Sequence, residues 1–161
     1  MKIKKNSIVK LLVAIVVCEM AGAVGSIFTF SAIPTWYATL KKPSFSPPNW
    51  LFGPVWLTLY TLMGISLYFV WSKGLKKEEV KNSIMLFGIQ LFLNALWSFL
   101  FFGLHSTFYG LIGIAFLWFS IMVTIFKFYK ISKNAAYLLL PYIAWVTFAM
   151  YLNYFVWILN P

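Results

Sequence analysis

Apolar residues run along this chain in five long blocks, at about residues 8–33, 51–71, 83–102, 108–126 and 135–159, separated by short polar or proline-rich stretches. A bilayer core needs about 20 predominantly apolar residues as helix, and each block is near or above that length. The pattern predicts an all-α integral membrane protein. Five transmembrane helices account for nearly all of residues 1–161 in a single domain, with no soluble domain or linker left over.

One stretch breaks the pattern. Between the first two blocks, WYATLKKPSFSPPNWLFGPVW at residues 36–56 holds three tryptophans, four prolines and two lysines. Pro43, Pro47 and Pro48 fix the backbone near extended geometry and remove amide donors, which predicts a structured aromatic loop rather than a slack connector. Over the end of a helix bundle such a loop acts as a lid.

Composition agrees with the membrane reading: 62% of residues are hydrophobic and 10% charged, too apolar for a soluble domain. The net charge of +10 comes from 13 lysines, with no arginine, against Glu19, Glu78 and Glu79. The lysines sit in ends and loops, where they set topology and meet anionic headgroups, so nucleic-acid binding is not expected. Lys2, Lys4, Lys5 and Lys10, the 73–81 loop and the 127–133 loop share one side in a five-span chain, and the positive-inside rule puts that side, with the N-terminus, in the cytoplasm. Lys41 and Lys42 on the opposite side are an exception to the rule. The basic start and Ala21-Gly22-Ala23 have the form of a secretory cleavage site, but apolar character continues to Ile33, which predicts an uncleaved first helix.

Polar side chains inside a bilayer turn away from lipid, so they select faces. Gln90, Asn94, Trp97 and Phe101 form one stripe on the third helix. Pro141, Trp145, Ala149 and Asn153 recur every four residues on the fifth, with Tyr142 nearby. Trp56, Tyr60 and Gly64 do so on the second, and Glu19, Gly22 or Ala23, and Ser26 on the first. Facing one another, these stripes line an aromatic pocket with a few polar points; equally, such stripes serve helix packing, as do the small residues at Ala21-xxx-Gly25 and Gly22-xxx-Ser26. Glu19 is the sole acid within a span. Trp71 and Trp157 fit an interfacial belt.

Conventional chemistry is hard to build from these residues. Cys18 is the only cysteine, His105 the only histidine, and aspartate is absent, so no metal centre, catalytic triad or phosphate loop is expected. Binding of a flat, rigid apolar molecule on tryptophan and tyrosine faces remains.

The 36–56 stretch followed by LYTLMGIS, then NALWSFLFFG, then LLLPYIAWVTFAMYLNYFVW, together resemble the TspO/MBR family over residues 22–157. That family comprises tryptophan-rich sensory proteins of bacteria and archaea and the mitochondrial translocator protein. The resemblance implies a five-helix bundle, usually a homodimer, with a pocket under the first loop, in a bacterial or archaeal cell membrane. It implies a receptor or carrier for porphyrins (protoporphyrin IX, haem) as ligand, with no required cofactor. It also brings alternatives: light- and oxygen-dependent protoporphyrin degradation, with Trp56 and Trp145 as the reactive rings, and sterol or lipid transport or regulation through a partner protein. By motif position Trp56, Trp145, Tyr37, Asn94 and Ala149 match pocket residues, to which the stripes add Tyr60, Trp97 and Asn153. Lys41 and Lys42 at the mouth are expected to meet either propionates or headgroups. The sterol motif needs a basic residue after its tyrosine, and LNYFVWILNP has none.

Overall fold

The computed structural model describes residues 5–161, with side chains from Ser7 onward; Lys2 and Lys4, invoked for topology, lie outside the described residues, as does the side chain of Lys5. Five helical spans are long and apolar enough to cross a membrane. The first is α1 (Lys5–Ala32). A short helix α2 (Trp36–Thr39) then opens the loop, and a 3-10 turn (Asn49–Leu51) leads into α3 (Phe52–Trp71), the second span. The third span is α4 (Glu78–Ser98) running on through a wide π-helical turn (Phe99–Gly103). The fourth is α5 (Thr107–Ile131), and the fifth is α6 (Lys133–Leu138) with α7 (Leu140–Leu159).

Helix ends differ from the apolar blocks for local reasons. Span three starts five residues before the expected 83, because Glu78 and Glu79 suit the positive end of a helix. Span four outlasts its apolar block by five residues, carrying Lys127 and Lys130 on helical turns beyond it. Span five breaks at Leu139, since Pro141 lacks the amide that would bond back to the carbonyl of Tyr137.

Around the bundle, α1 packs against α3 and α4, α4 against α5, α5 against α6 and α7, and α6 against α3. Small residues set the closest approaches. A Cβ on Gly64 would stand 2.5 Å from the Ile15 backbone, one on Gly22 would overlap the Tyr60 ring, and one on Gly25 would stand 3.0 Å from Ser98 Oγ. The small residues at 22, 25 and 64 thus serve packing inside the bundle.

The two ends of the bundle are filled differently. The end bearing the lysine loops is solid. Met63, Val70, Phe87, Ile121 and Phe128 are buried there, and the rings of Phe87 and Phe128 stack at 5.6 Å. Ser66 Oγ donates to the Ala135 carbonyl at 2.7 Å, joining span two to span five. Ser7 and Tyr68 hydroxyls bond across α1 and α3, and Lys10 Nζ lies 5.7 Å from the Trp71 ring centre. The end beneath the 36–56 loop holds a cavity.

Candidate functional site

The loop is shaped, as its prolines predict. Pro48 has φ −64° and ψ 143°, Leu40 φ −70° and ψ 141°, and the Ser46 amide bonds to the Pro43 carbonyl at 3.0 Å. It is also fastened to span five. Asn160 Oδ1 accepts from the Lys41 amide at 3.0 Å, and Asn160 Nδ2 donates to the Lys41 carbonyl at 2.9 Å. Phe45 stacks on Tyr151 at 5.4 Å and meets Phe155 edge-on at 5.5 Å.

Beneath it lies a cavity of about 560 Å³, inside the range of roughly 300–1,000 Å³ typical of small-molecule sites. Its wall draws on the loop and on spans one, two, three and five, with nothing from span four. Trp56 is the central ring, stacked on Tyr60 at 5.5 Å and 6.5 Å from Trp97. Trp97 in turn stacks on Phe101 at 5.8 Å. From the loop, Tyr37 comes down edge-on to Phe101 and Phe102 at 6.1 and 5.7 Å. Burial raises the Tyr37 phenol above its ordinary value of 10, with Ser46 pulling the other way, so the ring is a neutral lid surface. Lys42 Nζ lies 4.4 Å from the Tyr37 ring centre; neither it nor Lys41 lines the cavity.

Of the expected site residues, Tyr37, Trp56, Tyr60, Asn94, Trp97, Ala149 and Asn153 all line this cavity. Trp145 does not. It sits edge-on behind Phe52, 6.0 Å between ring centres, and Phe52 forms the wall in its place. The reason is height rather than rotation: Trp145 points to the same side of α7 as Leu152 and Val156 but lies about 6 Å deeper along the helix than Ala149, below the cavity floor.

The amides are already occupied. Tyr60 hydroxyl donates to Asn94 Oδ1 at 2.5 Å, Asn94 Nδ2 donates to Tyr142 hydroxyl at 2.9 Å, and that hydroxyl donates to Gln90 Oε1 at 3.0 Å. Asn94 thus ties spans two, three and five together before it meets any ligand. Asn153 Nδ2 donates to the Thr107 carbonyl at 2.8 Å, while its Oδ1 is left to face Gly110. The Trp97 indole N–H is buried without a partner among the described residues, although the ring itself lines the cavity. Glu19, on the opposite wall, accepts a hydrogen bond from Thr61 Oγ1 at 2.9 Å.

Several wall residues escaped the sequence stripes. Leu152 and Val156 are plain aliphatics, which a search for polar and aromatic positions passes over. Phe102 enters beside Phe101 because the π turn, with the Leu104 amide bonding back to Phe99 at 2.8 Å, widens the helix and presents adjacent rings together. Among the described residues no group of three metal-ligating side chains forms, and His105 stacks on Trp36 at 5.0 Å.

A family model described as the TspO/MBR family matches residues 14–158. The chain belongs to that family. Among TspO/MBR relatives, the tryptophan-rich protein TspO of Chlorobaculum tepidum is 46% identical, over 97% of this chain and 99% of the relative. TspO of Archaeoglobus fulgidus is 45% identical over 96% and 99%, and the translocator protein of Homo sapiens 41% over 83% and 80%. With its five spans, this TspO/MBR chain is an integral membrane protein.

Proposed function

We propose that this protein is a membrane receptor or carrier for porphyrin-like ligands, held in the cavity under the 36–56 loop. The observation that carries the reading is the contiguous ring wall of Trp56, Tyr60, Trp97 and Phe101, closed above by Tyr37. Such a wall suits a flat apolar macrocycle, since ring faces bind by offset stacking and edge contacts. Lys42, with its Nζ 4.4 Å from the Tyr37 ring centre, sets a cation beside the residue that closes the cavity, where a propionate would meet it. Sensory and translocator names among the relatives support a receptor or transport role. The reading carries with it a homodimer in a bacterial or archaeal cell membrane, with the lysine-rich end cytoplasmic.

The test is a titration of the protein in lipid nanodiscs with protoporphyrin IX, following tryptophan quenching. Trp56→Phe and Trp97→Phe are expected to weaken binding about tenfold, and Trp145→Phe to leave the affinity unchanged. No saturable binding by wild type, or equal binding by all variants, removes the assignment.

A further inference from the structure

Glu19 has no role in the porphyrin reading, yet its placement is the costliest in the molecule. The first span runs Ser7–Ala32, so Glu19 stands at its middle, the farthest point from water at either end. An ionisable side chain at that depth is unfavourable and is normally paired. Among the described residues its carboxylate has no cation: the single ion pair within 4.0 Å joins Lys81 and Glu78, both in the first turn of α4. Thr61 supplies one hydrogen bond to Oε1. Glu19 is half-buried and belongs to the cavity wall, along with Tyr60 and Trp56 from the facing helix.

A carboxylate and aromatic faces around one apolar space are complementary to a single kind of group. An ammonium ion supplies the missing counter-charge and an N–H donor, and it is attracted to ring faces. A carboxylate or phosphate there meets repulsion. We propose that the cavity also takes lipophilic amines in their ammonium form, with the cationic nitrogen at Glu19 and the apolar body against Trp56 and Tyr60. The inference shares the cavity with the porphyrin reading but not its ligand, so either stands if the other fails.

The experiment compares three ligands of one shape on the protein in nanodiscs, with empty nanodiscs as blank: dimethyl(naphthylmethyl)ammonium, uncharged isobutylnaphthalene, and naphthylacetate. In wild type the ammonium is expected to bind about tenfold more tightly than the uncharged counterpart, and the anion more weakly than either. Glu19→Gln keeps the shape and the Thr61 bond while removing the charge. It should erase the ammonium preference, bringing the ammonium to the affinity of isobutylnaphthalene. Equal wild-type affinities for the ammonium and its uncharged counterpart overturn the proposal without any variant. A preference that survives Glu19→Gln overturns it too. Loss of porphyrin binding in wild type with the ammonium preference intact sinks only the porphyrin reading.

Discussion

The two ends of this bundle are built from similar helices and do opposite things with them. At the lysine-rich end, side chains meet without gaps: Phe128, Val70 and Met63 have no solvent exposure, and Gly64 lets α3 touch the backbone of α1. At the loop end the same helices stand apart around empty space, held by the Tyr60–Asn94–Tyr142–Gln90 hydrogen-bond chain and by the loop fastened to Asn160. Lipid solvates apolar side chains as well as a protein core does, so neither end is held by a hydrophobic drive between helices. The closed end relies on close packing. The open end relies on directional bonds, which tolerate a void that close packing would not.

Substitutions that confuse the two modes should have the largest effects. Gly64→Val forces a side chain into the Ile15 backbone, which cannot yield as a flexible side chain would. Thermal unfolding in detergent should show a loss near the upper end of the about 1–3 kcal/mol seen for overpacking. Gly53→Ala, which meets nothing within 4 Å, should be silent in the same assay. Next comes Phe128→Ala. With most of the transfer cost removed by lipid, the cavity left behind should cost about 2 kcal/mol. A stability equal to wild type would mean that the closed end is not close-packed in solution.

Tyr142→Phe sits on the border between the modes. It keeps the ring but strips a donor from Gln90 and an acceptor from Asn94, for a loss of about 1 kcal/mol. The tyrosine-to-amide chain should loosen, and protoporphyrin quenching should become less steep as Tyr60 and Trp56 lose their fixed positions. The smallest effect on stability belongs to Asn160→Ala, about 0.5–1 kcal/mol. Its readout is faster hydrogen exchange at the Lys41 amide, with the closed end unchanged. Unaltered exchange there would show that the Phe45 stacking on Tyr151 holds the loop by itself.

The contrast between the ends was only half legible in the chain. The spans, the loop and its stiffness follow from apolar block length and proline positions, because bilayer thickness and ring closure act on sequence directly. The cavity wall follows in good part from stripes, since Trp56, Tyr60, Asn94 and Trp97 had to turn from lipid together. What spacing could not give was depth. A four-residue stripe on α7 treats Trp145 and Asn153 as equivalent, while they stand about 12 Å apart along the helix and the cavity reaches only Asn153. Nor does sequence show occupancy: Asn94 reads as a ligand anchor until its bonds to Tyr60 and Tyr142 are seen. Glu19 stood out as the sole acid in a span, but its depth and, among the described residues, its lack of a cation emerge only with neighbouring helices in place.

The wide turn at Phe99–Gly103 has a consequence for chain length. It contains one residue more than an α-helix of the same rise would use. Removing a residue anywhere else in a span turns everything after it by about 100° and separates it from its partners. Removing one here lets the turn tighten to α geometry while the flanking segments keep their register. The chain thus has a site where the deletion of one residue is structurally absorbed. Because that site lies in the cavity wall, a change of one residue there alters how many rings face the cavity and leaves the packed end of the protein as it was.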